Sequence, residues 1–166
     1  GYEHYMLKEI HEQPQALRQA LTGRIDELGG EISIDLDLPI EYLRSLDEIQ
    51  ITAAGTSYHA GLYAKHLFEE LADIRVTTQI ASEYEFEGGR DPWQTLVLGI
   101  TQSGETADTL QAIRKAKAKG ARTLAVTNTV GSTVTREVND SVFIHAGPEI
   151  GVAATKTFVS QVATLT

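Results

Sequence analysis

The chain has 166 residues, 42% of them apolar and 22% charged, which is the composition of one globular domain and not of a disordered segment. Its net charge of −9 argues against a nucleic-acid-binding surface, for which clustered Lys and Arg are expected. Because it has no cysteine, a disulfide scaffold, a cysteine zinc site and a cysteine nucleophile are excluded on this chain.

The first part of the chain is predicted to be a helix followed by a connection. Glu3–Leu21 has helical spacing on both sides of Pro14, which interrupts it, and Gly23 is a C-terminal stop signal. The apolar side chains that share one face of its first half are Met6, Leu7 and Ile10. The polar stretch Arg24–Pro39 then connects to the rest. We therefore expect residues 1–38 to form a helical segment and connection, with one domain over residues 39–166.

From residue 48 onward, strand-like and helix-like segments alternate. The predicted strands are Glu48–Ala54, Arg75–Ala81, Thr95–Thr101, Arg122–Thr127 and Ser141–His145. The predicted helices are Tyr58–Ala72, Thr106–Lys119, a short one at Thr133–Val138, and a final helix-like run within Thr155–Thr166. Short links between strands and helices indicate βαβ units. The pattern predicts an α/β fold, a three-layer αβα sandwich with a five-stranded parallel sheet of the flavodoxin or Rossmann type.

Two hydroxyl-rich loops are expected at the carboxyl ends of strands, where ligands bind in such sheets. Ala54–Ser57 (AGTS) follows the first strand, and Thr101–Thr106 (TQSGET) follows the third. Each combines hydroxyls with a Gly at the turn into a helix, whose N-terminus offers free N–H groups. One such loop is explained by helix capping alone, but with two together a phosphate site explains the hydroxyls as well as capping does.

The loops argue against nucleotide binding. Gly99–Thr106 (GITQSGET) nearly matches the nucleotide P-loop, but Glu105 stands where the Lys belongs, and Gly99 falls inside the predicted strand. The dinucleotide motif G-x-G-x-x-G is absent after the first strand. A small monophosphate held by neutral donors remains, with Ala146–Lys156 as a third wall of the pocket. The five histidines show no metal spacing, so neither a metal nor a cofactor is predicted.

Several segments together resemble the SIS (sugar isomerase) domain family, and within it the isomerase part of glutamine–fructose-6-phosphate aminotransferases. The segments that carry the resemblance are Lys8–Pro14 (KEIHEQP), Gly55–Ser57 (GTS), Ile80–Glu83 (IASE), Ser103–Thr109 (SGETADT) and Glu149–Lys156 (EIGVAATK). They occur in order and cover nearly the whole chain. The KEIHEQP opening favours the aminotransferases over arabinose-5-phosphate isomerases and sugar-responsive regulators.

The resemblance implies roles for individual residues. The phosphate of fructose-6-phosphate or glucosamine-6-phosphate would be held by Ser57, Thr101, Gln102, Ser103 and Thr106. The sugar and the adjoining loops would involve Gly55, Thr56, Gly104 and Val152. Two positions depart from the family pattern: Thr101 stands where Ser is usual, which keeps the hydroxyl, and Ala54 stands where Cys is common.

The resemblance also implies an architecture. The family enzyme combines a glutaminase domain with two SIS subdomains, and this chain resembles the first subdomain, so we expect a fragment of a longer, homodimeric, cytoplasmic enzyme. The absence of an apolar run of ~20 residues and of a signal peptide agrees with that compartment. Because nothing here matches the family's catalytic motifs, no catalytic residue is assigned. Glu105, Glu149 and Lys156 receive no chemical role. No nucleic acid or membrane partner is expected.

Two other functions remain open at this point. A stand-alone SIS module, such as the sensor half of a regulator or another sugar-phosphate isomerase, would bind the ligand without a second subdomain. A bare interaction domain would use the hydroxyl loops only as helix caps. The regions flanking the chain in its gene would discriminate between an enzyme and a regulator.

Overall fold

The computed structural model describes residues 1–26 and 28–166. Its helices are α1 (Tyr5–Leu21), α2 (Ile40–Arg44), α3 (Thr56–Ala72), α4 (Ala107–Ala118), α5 (Thr133–Glu137) and α6 (Lys156–Leu165). Its strands are β1 (Glu48–Ala53), β2 (Arg75–Ile80), β3 (Thr95–Thr101), β4 (Arg122–Thr127) and β5 (Asp140–Phe143). Two short 3-10 turns, Ala81–Glu83 and Pro92–Gln94, flank the link between β2 and β3. Within the described ranges, no helix is both long and apolar enough to cross a membrane.

The five strands form one parallel sheet in the order β2-β1-β3-β4-β5. All seven residues of β3 are buried, as expected for a central strand covered on both faces, and their apolar run explains why the sequence predicted this strand to the residue. Chain order reverses between β1 and β3, because β1 continues to β2 on one side while β3 begins the run to β5 on the other. That reversal is the point at which open α/β sheets bind ligands.

Helices cover both faces of the sheet, so the predicted three-layer α/β sandwich is confirmed. One core cluster joins α3 and α6 to the sheet, with Ala16 of α1 packed against it. The other joins α4 and α5 to the opposite face through Leu110, Ile113 and Val134. Three strands end one or two residues earlier than predicted: β1 stops at Ala53, β2 at Ile80 and β5 at Phe143.

The prediction that Pro14 interrupts the first helix is wrong, because α1 runs unbroken from Tyr5 to Leu21. A proline inside a helix lacks the N–H that would bond the carbonyl four residues earlier, here Ile10. The Gln13 side chain donates Nε2–H to that Ile10 oxygen at 2.9 Å and replaces the missing bond. The predicted apolar face of Met6, Leu7 and Ile10 is exposed, and α1 instead buries Glu9, Ala16 and Ala20.

Candidate functional site

A cavity of about 390 Å³ lies at the reversal point between β1 and β3. Residues 54–57 after β1 form one wall, residues 100–103 and Thr106 around the end of β3 form a second, and residues 149 and 151–154 before α6 form a third. Its volume is in the range of small-molecule sites. The three segments singled out from the sequence therefore meet at one place in the fold.

The first wall holds a buried hydroxyl at the start of α3. Ser57 is 8% exposed, and its Oγ accepts a hydrogen bond from Nε2 of Gln161 at 3.0 Å. Gln161 lies on α6, is 1% exposed, and is 104 residues away in sequence. Because a hydroxyl has one proton and two lone pairs, this contact occupies a lone pair of Ser57 and leaves its proton free to donate.

The second wall is a tight hydroxyl-lined loop. Thr101 Oγ1 lies 3.0 Å from Thr106 Oγ1 and accepts the Gly104 N–H at 3.2 Å. Ser103 Oγ accepts the Glu105 N–H at 3.1 Å. Gly104 has a φ of 70°, and the position that a Cβ would take there is occupied by Ser132, so only glycine fits. Gly104 itself shapes the loop and does not line the cavity.

The helix that follows this loop begins without a side-chain cap. The same holds for the helix after the first loop: α3 begins after Gly55, which has no side chain, and the side chain of Thr106 before α4 bonds no backbone N–H. Helix capping, the alternative explanation of these loops, therefore does not account for their hydroxyls. The uncapped N–H groups and the positive ends of both helix dipoles face the region of the cavity.

Glu105 does not point its charge at this loop. Its Oε1 accepts the Thr133 N–H of α5 at 2.7 Å. Hydrogen bonds from the hydroxyl and the backbone N–H of Thr133 hold the pKa of Glu105 below its ordinary value of 4.5. The carboxylate that argued against a nucleotide P-loop is thus bound to a neighbouring helix.

The third wall is a loop organised by a carboxylate. Glu149 Oε1 accepts the Thr155 N–H at 2.9 Å and the Thr155 hydroxyl at 3.0 Å, and Oε2 accepts the Thr157 hydroxyl. Between them, Val152 and Ala153 are exposed at the tip. Glu149 therefore uses its carboxylate to close the base of the loop.

The cavity is electrostatically mild. Glu149 is the one charged residue among the described residues that line it, and no Lys, Arg or His is among them. The described ranges contain no group of three or more His, Asp or Glu side chains placed to hold a metal ion.

The structure brings eight of the nine sequence-predicted site residues to the cavity wall, and Gly104 is the exception. Sequence reasoning missed Gln161, and it missed Glu9, which holds the third wall from α1. The sequence pattern gave no signal for Gln161, because four of the five buried residues of α6 are polar. For Glu9 the signal was its place within the KEIHEQP segment, which had been noticed only as a resemblance.

Comparison with known proteins agrees with this geometry. The family model described as SIS domain matches residues 42–166. The chain is 68% identical over 164 residues to a protein of Halobacterium salinarum named glutamine–fructose-6-phosphate aminotransferase (isomerizing), covering 99% of this chain and 27% of the relative. A protein of the same name from Methanosarcina acetivorans is 52% identical over 166 residues, with 99% and 27% covered.

The fold is closely similar to that of a solved structure. The C-terminal domain of glucosamine-fructose-6-phosphate aminotransferase from Francisella tularensis superposes with a TM-score of 0.87 at 40% identity, covering 99% of this chain and 46% of that one. The chain thus spans about a quarter of the length of the curated relatives it matches. A family match over residues 42–166, together with the parallel sheet and its cavity, shows that this chain belongs to the SIS domain family.

Proposed function

We propose that the cavity binds the phosphate group of fructose-6-phosphate or glucosamine-6-phosphate. The phosphate ligands are Ser57, Thr101, Gln102, Ser103 and Thr106. The observation that carries the proposal is that protein donors already occupy acceptor positions on these hydroxyls, so the hydroxyl protons are left for a ligand. A phosphate offers only acceptors at this surface and is the matching partner.

The count of available donors supports this assignment. Ser57 and Ser103 each have one free proton, and the Thr101–Thr106 pair has a third, because only one of the two hydroxyls donates to the other. The uncapped starts of α3 and α4 add backbone N–H groups. Such a set matches a phosphate monoester without a lysine or arginine, and neutral donors give an affinity suited to release as well as binding.

The sugar extends from the phosphate toward the third wall. Gly55 and Thr56 border it on one side and Val152 on the other, as all three line the cavity beyond the hydroxyl loop. Gly104 serves the site indirectly by giving the phosphate loop its turn.

The names of the relatives support a proposal for the activity of the longer protein to which this chain belongs. We infer that the protein belongs to an enzyme that converts fructose-6-phosphate and glutamine into glucosamine-6-phosphate and glutamate, with a glutaminase domain, a second SIS subdomain and a homodimeric, cytoplasmic assembly. The cavity on this chain supplies phosphate anchoring, and binding energy from that remote group orients the reacting carbons. Glu149, the one charged residue among the described lining residues, is engaged by Thr155 and Thr157, so we expect proton transfer to fall to other parts of the enzyme. The 166-residue chain by itself should form no glucosamine-6-phosphate from fructose-6-phosphate and ammonia.

Calorimetric titration with glucosamine-6-phosphate, glucosamine and inorganic phosphate tests the site. Binding should require the phosphate, and Ser103→Ala should weaken it by about tenfold, the value of one or two lost hydrogen bonds. Ser33→Ala is the matched control, because Ser33 is exposed and lies outside the cavity. Binding of glucosamine as tight as that of its phosphate, or an unchanged Ser103→Ala affinity, would contradict the proposal.

A further inference from the structure

Glu9 on α1 is a buried carboxylate that touches the third wall of the cavity. It is 3% exposed, and its Oε1 accepts the Ile150 N–H at 2.6 Å. The Gly151 N–H reaches Oε2 at 3.0 Å and Oε1 at 3.3 Å. Buried carboxylates are normally paired with a cation, but among the described residues Glu9 enters no ion pair. Two consecutive backbone amides of a loop 141 residues away hold its charge instead.

The loop that Glu9 binds has little else to hold its tip. Ile150, Val152 and Ala153 are exposed, so apolar packing does not fix them. Glu149 closes the base of the loop, and the tip is tied to the body of the protein by Glu9. One turn along α1, Glu12 accepts a hydrogen bond from Lys156 at the start of α6 at 2.7 Å.

Gly151 shows how close this approach is. A Cβ on Gly151 would lie 2.6 Å from Glu9 Oε2 and 3.6 Å from the backbone of Met6. No real Cβ contact is that short, so any larger residue at 151 would displace either the loop or the carboxylate. The geometry therefore couples the side chain at position 9 to the backbone that carries Val152 into the cavity.

We propose that Glu9 is a positioning residue of the sugar-phosphate site, an inference that rests on the proposed function. By accepting both amides, it sets the height of residues 150–152 above the cavity and so fixes the wall against which the sugar lies. It does not touch the phosphate loops at 55–57 and 101–106. Loss of Glu9 should therefore reduce recognition of the sugar and leave recognition of the phosphate intact, a separation that general destabilisation would not produce.

The test is a titration of the complete gene product that contains these residues, with glucosamine-6-phosphate and, separately, inorganic phosphate. Glu9→Ala should weaken glucosamine-6-phosphate binding by about tenfold, as expected for lost hydrogen bonds to a charged group. Inorganic phosphate affinity should stay within about twofold of the wild type, below the worth of one hydrogen bond. Glu9→Gln keeps the side-chain volume and one acceptor oxygen, so its affinity for glucosamine-6-phosphate should lie between those of the wild type and Glu9→Ala. Glu3→Ala, an exposed carboxylate before the same helix, should change neither.

A double-mutant cycle tests the contact itself. Gly151→Ala should weaken glucosamine-6-phosphate binding in the wild type through its overlap with Glu9, and should add little in a Glu9→Ala background, where the overlap is gone. Additive effects, or wild-type affinity in Glu9→Ala, would overturn the inference while leaving the proposed function in place. A folded wild-type protein that binds no glucosamine-6-phosphate would overturn both.

Discussion

Replacing Thr101 by Val tests the contribution of the hydroxyl at the centre of the hydroxyl-lined loop at residues 101–106. The two side chains have nearly the same shape, but valine has no oxygen to accept the Gly104 N–H or to pair with Thr106. Thr101 is 3% exposed and Gly104 is buried, so water does not replace the lost partner. An unsatisfied buried N–H costs about 1–3 kcal/mol. We expect Thr101→Val to lower the free energy of unfolding by about 2 kcal/mol, which leaves a domain of ordinary stability folded.

Thr101→Ser is the matched control, since it keeps the oxygen and removes only a methyl group. Its cost should be near the ~0.8 kcal/mol of one buried carbon. The two variants should separate more clearly in binding, because the serine variant keeps every polar contact of the loop. We expect glucosamine-6-phosphate affinity to fall by about tenfold or more in Thr101→Val and to stay near wild type in Thr101→Ser.

Urea denaturation followed by circular dichroism measures the stability difference, and calorimetry measures the affinities. Equal stability and equal affinity of the two Thr101 variants would refute the reasoning. It would mean that the loop keeps its shape without the Thr101 oxygen and that the hydroxyl does not face the ligand.

Two further changes test the framework of the site. Gly104→Ala should lower the free energy of unfolding by about 3 kcal/mol, because of the positive φ and the overlap with Ser132. Gly131→Ala, at φ 72° with open space around the Cβ position, should lower it by only about 1–2 kcal/mol. Equal urea midpoints for the two variants would contradict this. Pairing with Lys156, and secondarily with Lys8, lowers the pKa of Glu12 from 4.5, so its stabilising contribution is present above pH 4.5 and is lost as the pH falls through the lowered pKa. Glu12→Gln should therefore be less stable than wild type at pH 7, and the difference in melting temperature should close as the medium is acidified toward pH 3; a gap independent of pH would contradict the ion-pair explanation.

Local sequence patterns were sufficient to predict much of the fold. The segments Thr95–Thr101 and Arg122–Thr127 form strands with the predicted bounds, because each has a continuous apolar centre, as expected of a strand buried on both faces. The two hydroxyl loops were placed at one sheet edge by a topological argument, since the carboxyl ends of parallel strands lie together. Their contact depends also on the direct pairing of β1 with β3, which chain order does not fix.

Three features of the structure could not be predicted from the sequence, because each depends on which atoms a side chain reaches in the fold. The first helix continues through Pro14 because one neighbouring glutamine replaces the lost bond, a detail of side-chain reach that no periodicity contains. Glu9 looks like any exposed helical carboxylate until the fold brings the Ile150 amide to it. Gln161 matters because α6 packs beside the start of α3, next to Ser57. Gln13 acts on a carbonyl three residues away, whereas the partners of Glu9 and Gln161 lie more than a hundred residues away in sequence.

The two sides of the proposed site are therefore built differently. The phosphate side rests on the buried end of β3 and on the starts of α3 and α4, so its donors belong to the packed body of the fold. The sugar side rests on an exposed loop that two carboxylates hold, Glu149 at its base and Glu9 of α1 at its tip. On the proposed function, we expect a change in α1 to alter which sugar is accepted without disturbing phosphate binding, and a change in the hydroxyl loops to affect every phosphorylated ligand alike. Substrate discrimination should then follow the contact between α1 and the third wall, far in sequence from the residues proposed to bind phosphate.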